Sequence, residues 1–310
     1  MTDFEMCHGK PCPPPKQTVH YCTGGRCQTT STETAVIICK HCGSSRVVKY
    51  GTKDGVQYYL CRDCKRTFAW NYCLPGMRYP PEQIASAVNL FYDGLSIDAI
   101  RRQLQHQHNI YPSDSTVYEW VVRFTKEAVK EAKLSDVHGG DVWIADETVL
   151  RIDTGDVWFW DIIDDKTRFL LASHMSLTRT TKDAQTLMTK ALERADRPPR
   201  TVITDKLNVY LDGIELVFGA LTKHVQAKGF TVAPNINLIE RFHGTLKART
   251  KVMRGMQNRE TARLIMDGWL VHYNFFRPHE ALANKTPGEV AKATFPYKSW
   301  KEVLLGGKPQ

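Results

Sequence analysis

DVWIADETVLRID (141–153), GDVWFWDIID (155–164) and TRFLLASHMS (167–176) are three apolar runs separated by the short turns Thr154-Gly155 and Asp164-Asp165-Lys166. Runs of that length, broken by turn residues, predict a meander of three strands. Downstream, TKDAQTLMTKALERA (181–195) places Ala184, Leu187, Met188, Ala191 and Leu192 on one helical face, and Pro198-Pro199 ends it. RTVITD (200–205) reads as a short buried strand, and another helix follows. Strands first, then helix, strand and helix, describe a mixed α/β sheet.

Within this frame three acids are out of character. Asp146 sits midway along the first strand beside Trp143, Ile144 and Ala145, where another apolar residue is expected. Asp205 directly follows the fourth strand, and Glu240 begins the helix NLIERFHGTLKART (237–250). A carboxylate in or beside a buried strand costs several kcal/mol unless a cation or hydrogen bonds compensate. Two such acids and a helical glutamate supply the hard oxygen ligands that a pair of Mg²⁺ (or Mn²⁺) ions needs, with positions left for water and phosphate. Asp161, Asp164 and Asp165 read as hairpin residues, and Trp158-Phe159-Trp160 as core. At 3.6 residues per turn, Leu238, Phe242 and Leu246 share one face of the Glu240 helix. Asn237, Glu240, Gly244, Lys247 and Lys251 share the other. From Arg241 to Arg263 there are seven Lys/Arg, including Lys247, Arg249, Lys251 and Arg254, against the single acid Glu260. Such a stripe suits phosphate. His243 is expected either to contact phosphate or to donate to a liganding carboxylate.

Upstream, Cys39-Lys-His-Cys42 and Cys61-Arg-Asp-Cys64 are two C-x-x-C knuckles with eighteen residues between them. That spacing matches a zinc ribbon in which four thiolates close a structural Zn²⁺ site. About forty residues bury too little core alone, so metal ligation would supply the folding free energy. Arg46, Lys49, Lys53, Arg62, Lys65 and Arg66 make the ribbon basic. Residues 1–35, rich in Pro, Gly, Ser and Thr, read as a flexible segment whose Cys7, Cys12, Cys22 and Cys27 are either a second zinc set or a loose tail. Between ribbon and sheet, Pro81 opens one helix, Ser96 caps a second, and Ser113-Asp114 opens a third (STVYEWVVRFTKEAVKEAKL, 115–134). Helix, turn and capped helix is the arrangement that sets a helical N-terminus into the major groove. Asp114, Ser115, Thr116 and Tyr118 would then face bases. The plain alternative is a helical bundle acting as linker.

The chain has 310 residues, 42 Lys plus Arg against 33 Asp plus Glu, and a net charge of +9. This length fits two or three domains, and the basic surplus favours polyanionic partners. No apolar run approaches the ~18–20 residues needed to span a bilayer. The opening MTDFEMCHGK lacks a secretory pattern, so a cytoplasmic protein with reduced or metal-bound cysteines is expected, rather than a membrane protein or a disulfide scaffold.

Asp146 in ADET, Asp205 in ITDK and Glu240 in N-x-x-E-x-x-x-x-x-x-K resemble the DDE triad of insertion-sequence transposases and retroviral-type integrases. The ending HYNFFRPHEALANKTPGEVA (272–291) is similar to the tail of that core. Among these families the pattern is most similar to insertion-sequence family six, over roughly Tyr79 to Ala293. The resemblance implies a ribonuclease-H-like core and a DNA transposase. Asp146, Asp205 and Glu240 would bind two Mg²⁺ per active site, and Lys247 would touch element-end DNA. Element ends would be cleaved and their 3′-hydroxyls joined to target DNA. The expected organisation is a flexible segment (1–35), zinc ribbon (36–75), helix-turn-helix domain (78–135), ribonuclease-H-like catalytic domain (141–295) and C-terminal tail (296–310). A homodimer on DNA is expected, because two ends need two sites, and in a prokaryote the protein would be associated with the nucleoid. A DNA-binding regulator with a non-catalytic core and a ribonuclease-H-like nuclease are the competing readings.

Overall fold

The computed structural model describes residues 20–23, 26–29, 37–53, 56–69, 73–133, 135–152, 155–227, 236–253 and 259–306. Two compact units divide at Pro81.

In the first unit, β1 (His20–Thr23) and β2 (Arg26–Thr29) pair antiparallel and set Cys22 opposite Cys27. This hairpin falls within the stretch expected to be loop; Cys7 and Cys12 lie outside the described residues. β3 (Val47–Lys53), β4 (Val56–Cys61) and β5 (Thr67–Ala69) make an antiparallel sheet. Its core is only Cys39, Cys61 and Phe68, flanked by Ile37, Val47, Tyr59 and Cys64. So small a core does not hold a fold unaided.

The second unit begins with α1 (Pro81–Tyr92), α2 (Ile97–His108) and α3 (Asp114–Ala132). Ser96 and Ser113 cap α2 and α3, each side-chain oxygen accepting from a backbone N–H at 3.2 Å. The meander follows as β6 (Val142–Ile152), β7 (Gly155–Asp164) and β8 (Leu170–Ser176), then α4 (Thr181–Arg194), β9 (Thr201–Thr204), α5 (Val209–Phe218) and β10 (Lys223–Gln226). α6 (Asn237–Val252), α7 (Arg259–Val271), a π-turn over His272–Phe276, α8 (Pro287–Val290) and α9 (Trp300–Leu305) complete it. The sheet order is β10-β9-β6-β7-β8, with β6, β7 and β8 antiparallel and β9 and β10 parallel to β6. It is the mixed α/β sheet that the order of elements in the sequence predicts.

The three leading helices are not set off from this sheet by a linker. The Tyr92 ring stacks 5.0 Å from Trp300 and 5.7 Å from His272, and its hydroxyl meets Thr125 Oγ1 at 2.6 Å. Gly268 permits that approach, since a Cβ there would collide with Tyr92 Oη and Thr125. The Gly139-Gly140 pair, between the expected helix-turn-helix and catalytic domains, is a site of close contact. Gly140 N–H donates to the Asp164 carboxylate at 2.7 Å, and a Cβ would strike that group. Residues 296–310, expected to be a tail, include α9, which buries Trp300, Val303 and Leu304. Replacing this anchor, Trp300→Ala, should destabilise the second unit by about 3–5 kcal/mol in urea unfolding of the whole chain. A loss below about 1 kcal/mol would mean that α9 contributes little to the fold.

Candidate active site

β6 pairs with β7 along its length but with β9 only over Val142–Ile144. Ile144 lies opposite Ile203, so the same parallel register carried two residues further sets Asp205 level with Asp146. β9 ends at Thr204, so Asp205 lies just past its carboxyl end, while Asp146 lies within β6, which runs on to Ile152. One carboxylate oxygen from each of Asp146, Glu147 and Asp205 lies within 4.8 Å of the others. The Glu147 side chain is 2% exposed and that of Asp205 33%. Three converging hard oxygens, one on a partly solvent-facing side chain, fit Mg²⁺ or Mn²⁺.

Glu240 occupies the first turn of α6, which packs on β6. It is not a member of the tight group. It is nonetheless close enough to Asp146 for repulsion to matter: burial first, and then the Asp146 charge, push its carboxyl above the usual range. The structure thus brings Asp146 and Asp205 together and leaves Glu240 beside them.

Glu147 was not anticipated. Tyr210 Oη donates to its Oε2 at 2.5 Å, Arg179 pairs with Oε1, and Arg179 Nη2 also lies 3.8 Å from Asp205 Oδ2. The guanidinium rests 4.7 Å over the Trp158 ring, so that Trp158 supports the site while Phe159 and Trp160 are core. Burial raises the Glu147 carboxyl, and burial followed by the Glu147 charge keeps Tyr210 protonated. The only signal in sequence was a second acid adjacent to Asp146 in an apolar strand.

Asp161 corrects a second expectation. It belongs to β7 rather than the turn, lies directly across from Asp146, and is fully buried. It accepts from the Ser173 hydroxyl and faces His243 Nε2 at 3.0 Å. The other ring nitrogen, Nδ1, lies 3.5 Å from Asp146 Oδ2. Burial alone would lower the His243 pKa, but Asp146 and Asp161 together lift it to about 9. At 5% exposure His243 is closed to phosphate.

Lys247 and Lys251 are exposed on α6 as expected, along with Arg241. Arg249 is not. It is 3% exposed, with its guanidinium 3.9 Å over the Phe91 ring of α1, and so is withdrawn from the DNA-facing stripe. Arg254 lies outside the described residues. At the start of α3, Asp114 and Ser115 are exposed and Thr116 and Tyr118 half-buried, with Asp114 ion-paired to Arg101.

In the first unit the sulfurs of Cys39, Cys42, Cys61 and Cys64 gather within 4.8 Å of one another. The Cys39–Cys64 and Cys42–Cys61 separations are both 3.6 Å. A tetrahedron with metal–sulfur bonds of about 2.3 Å has edges of about 3.8 Å. The backbone N–H groups of Cys64 and Asp63 point to the Cys61 sulfur and lower its thiol from the usual range. The donor set fits a structural metal ion.

Residues 140–279 match the family model of a DDE domain of the transposase type. Among solved structures, the chain is similar to the HTLV-2 integrase catalytic core domain in complex with magnesium (14% identity, 50% of this chain and 99% of that chain, TM-score 0.40). It is also similar to the catalytic core domain of BIV integrase (17% identity, 50% and 95%, TM-score 0.37). No curated protein matches the chain.

The purified chain should carry one equivalent of thiol-bound divalent metal by elemental analysis, and Cys61→Ser should release it. Cysteines that remain reduced and metal-free after growth in zinc-supplemented medium would refute the ribbon site.

Proposed function

We propose that the chain, whose residues 140–279 are the DDE domain of a polynucleotidyl transferase, is a DNA transposase that cleaves the ends of a mobile element and joins the freed 3′-hydroxyls to target DNA. The observation that carries this reading is the meeting of Asp146 and Asp205 at the open end of the parallel pair, with Glu240 alongside on a helix whose outer face bears Arg241, Lys247 and Lys251.

Asp146 and Asp205, with Glu240 drawn in from α6, would hold Mg²⁺ or Mn²⁺. Bound there, a pair of such ions would lower the pKa of the attacking water or hydroxyl and stabilise the leaving oxygen. The chain's own contribution is placement. Lys247 and Lys251 would grip flanking phosphates and set the scissile bond against the acids, Arg179 would steady Asp205, and Tyr210 and Arg179 would fix the Glu147 carboxylate beside them. The exposed N-terminus of α3, with Asp114, Ser115, Thr116 and Tyr118, would read terminal-repeat DNA in the manner of a helix-turn-helix. The four-cysteine ribbon, holding Zn²⁺, would add a basic contact. Two element ends require two catalytic units, so a homodimer is the working assembly, acting in the cytoplasm on chromosomal DNA. Among the described residues no helix is long and apolar enough to cross a membrane.

Asp205→Asn should keep binding to element-end DNA in gel shifts but lose cleavage and strand joining with Mg²⁺; retained joining would remove Asp205 from the site. Replacing Lys247 and Lys251 together by Ala should lower the slope of log binding constant against log salt by about 2.

A further inference from the structure

Asp161, His243 and Ser173 form a buried array that none of the binding roles above requires. We infer that Asp161 and His243 are positioning residues: Asp161 fixes the His243 ring, and the ring holds the Asp146 carboxylate in the orientation in which it receives a divalent ion. This inference rests on the reading of Asp146 as a metal ligand.

Three observations carry it. Asp161 is fully buried, and its two oxygens are engaged separately, Oδ1 by the Ser173 hydroxyl and Oδ2 by His243 Nε2 at 3.0 Å. With one edge of the imidazole so held, its other nitrogen lies 3.5 Å from Asp146 Oδ2. His243 is the one ion-pair partner of Asp146 among the described residues. Finally, His243 lies three residues after Glu240 on α6, while Asp146 and Asp161 are cross-strand neighbours on β6 and β7. The contact therefore also sets the height of α6 over the sheet, and with it the distance from Glu240 to Asp146. A buried pair kept for stability alone could be replaced by apolar side chains at little cost. A pair kept to aim a ligand could not, since partners behind metal ligands typically govern 10- to 100-fold in affinity.

The two ring nitrogens can be separated by substitution. In His243→Asn the amide nitrogen falls where Nδ1 sits and can still donate to Asp146. In His243→Gln it falls where Nε2 sits and serves Asp161 only. Mn²⁺ alone is titrated into the full chain and free Mn²⁺ is read by electron paramagnetic resonance, with thermal melts on every variant and Asp146→Asn as reference. His243→Gln should weaken Mn²⁺ binding about 10- to 100-fold, and His243→Asn should recover most of that loss even where its melting temperature is no higher. Equal affinity in the two variants, or wild-type affinity in His243→Gln, overturns the positioning role while a weakened Asp146→Asn leaves the metal reading standing. Wild-type affinity in Asp146→Asn would instead remove Asp146 as a ligand. Should His243→Gln fail to fold, Asp161→Asn, which touches no ion and keeps the shape of the side chain, should show the same loss; unchanged affinity there overturns the inference equally.

Discussion

The arrangement of the second unit depends on one parallel pairing, Ile144 against Ile203, and on its ending there. While β6 and β9 stay paired, their side chains are apolar and the backbone groups satisfy one another. β9 ends at Thr204, leaving Asp205 just past the strand, while pairing with β7 continues to hold the backbone of Asp146. Asp146 and Asp205 inherit their separation from that register rather than from any attraction between them. Their charges repel, and burial raises the Glu147 carboxyl beside them. A cluster of this sort is costly in the absence of a cation. Arg179 offsets part of that cost beside Glu147 and Asp205, and His243 beside Asp146.

Most of the sheet was legible because its signals are local. Three apolar runs, their turn residues and a capped helix announce β6, β7, β8 and α4 without tertiary information. Asp146 and Asp205 were legible for the complementary reason: each breaks an apolar pattern that its neighbours establish. β10 was not, since KHVQ at 223–226 is short and polar, and becomes a strand only because β9 presents a free edge. Asp161 was missed because sequence does not reveal register. It lies close to the turn in the chain, but its significance comes from the residue opposite. Glycine pairs are ambiguous in the same way. Gly139-Gly140 falls between two expected domains, yet Asp164 sits so close to Gly140 that a Cβ there would strike it.

Arg249 illustrates how a charge default misleads. Counting from Phe242, Leu246 and Arg249 continue the buried stripe at helical spacing, so geometry alone directed the side chain inward. The expectation that an arginine near a presumed DNA site faces solvent overrode that count. What makes the inward position tolerable is Phe91, whose ring face meets the guanidinium and which no local reading of α6 could supply. Burial still brings Arg249 down to about 10, and its nitrogens have no hydrogen-bond partner among the described residues.

These two contacts together define what α6 can do. Toward its start, His243 ties the helix to Asp161 and Asp146 in the sheet; toward its end, Arg249 lies on α1, which is itself locked through Tyr92 to α7 and α9. Glu240 and the exposed Lys247 and Lys251 ride on a helix pinned at both ends, so their positions are set jointly by the sheet and by the helices that precede it. The three leading helices therefore cannot shift as a free module without disturbing α6. A cation–π contact of about 2 kcal/mol does not fully offset the several kcal/mol needed to desolvate a guanidinium. The Arg249 end is thus the weaker of the two pins.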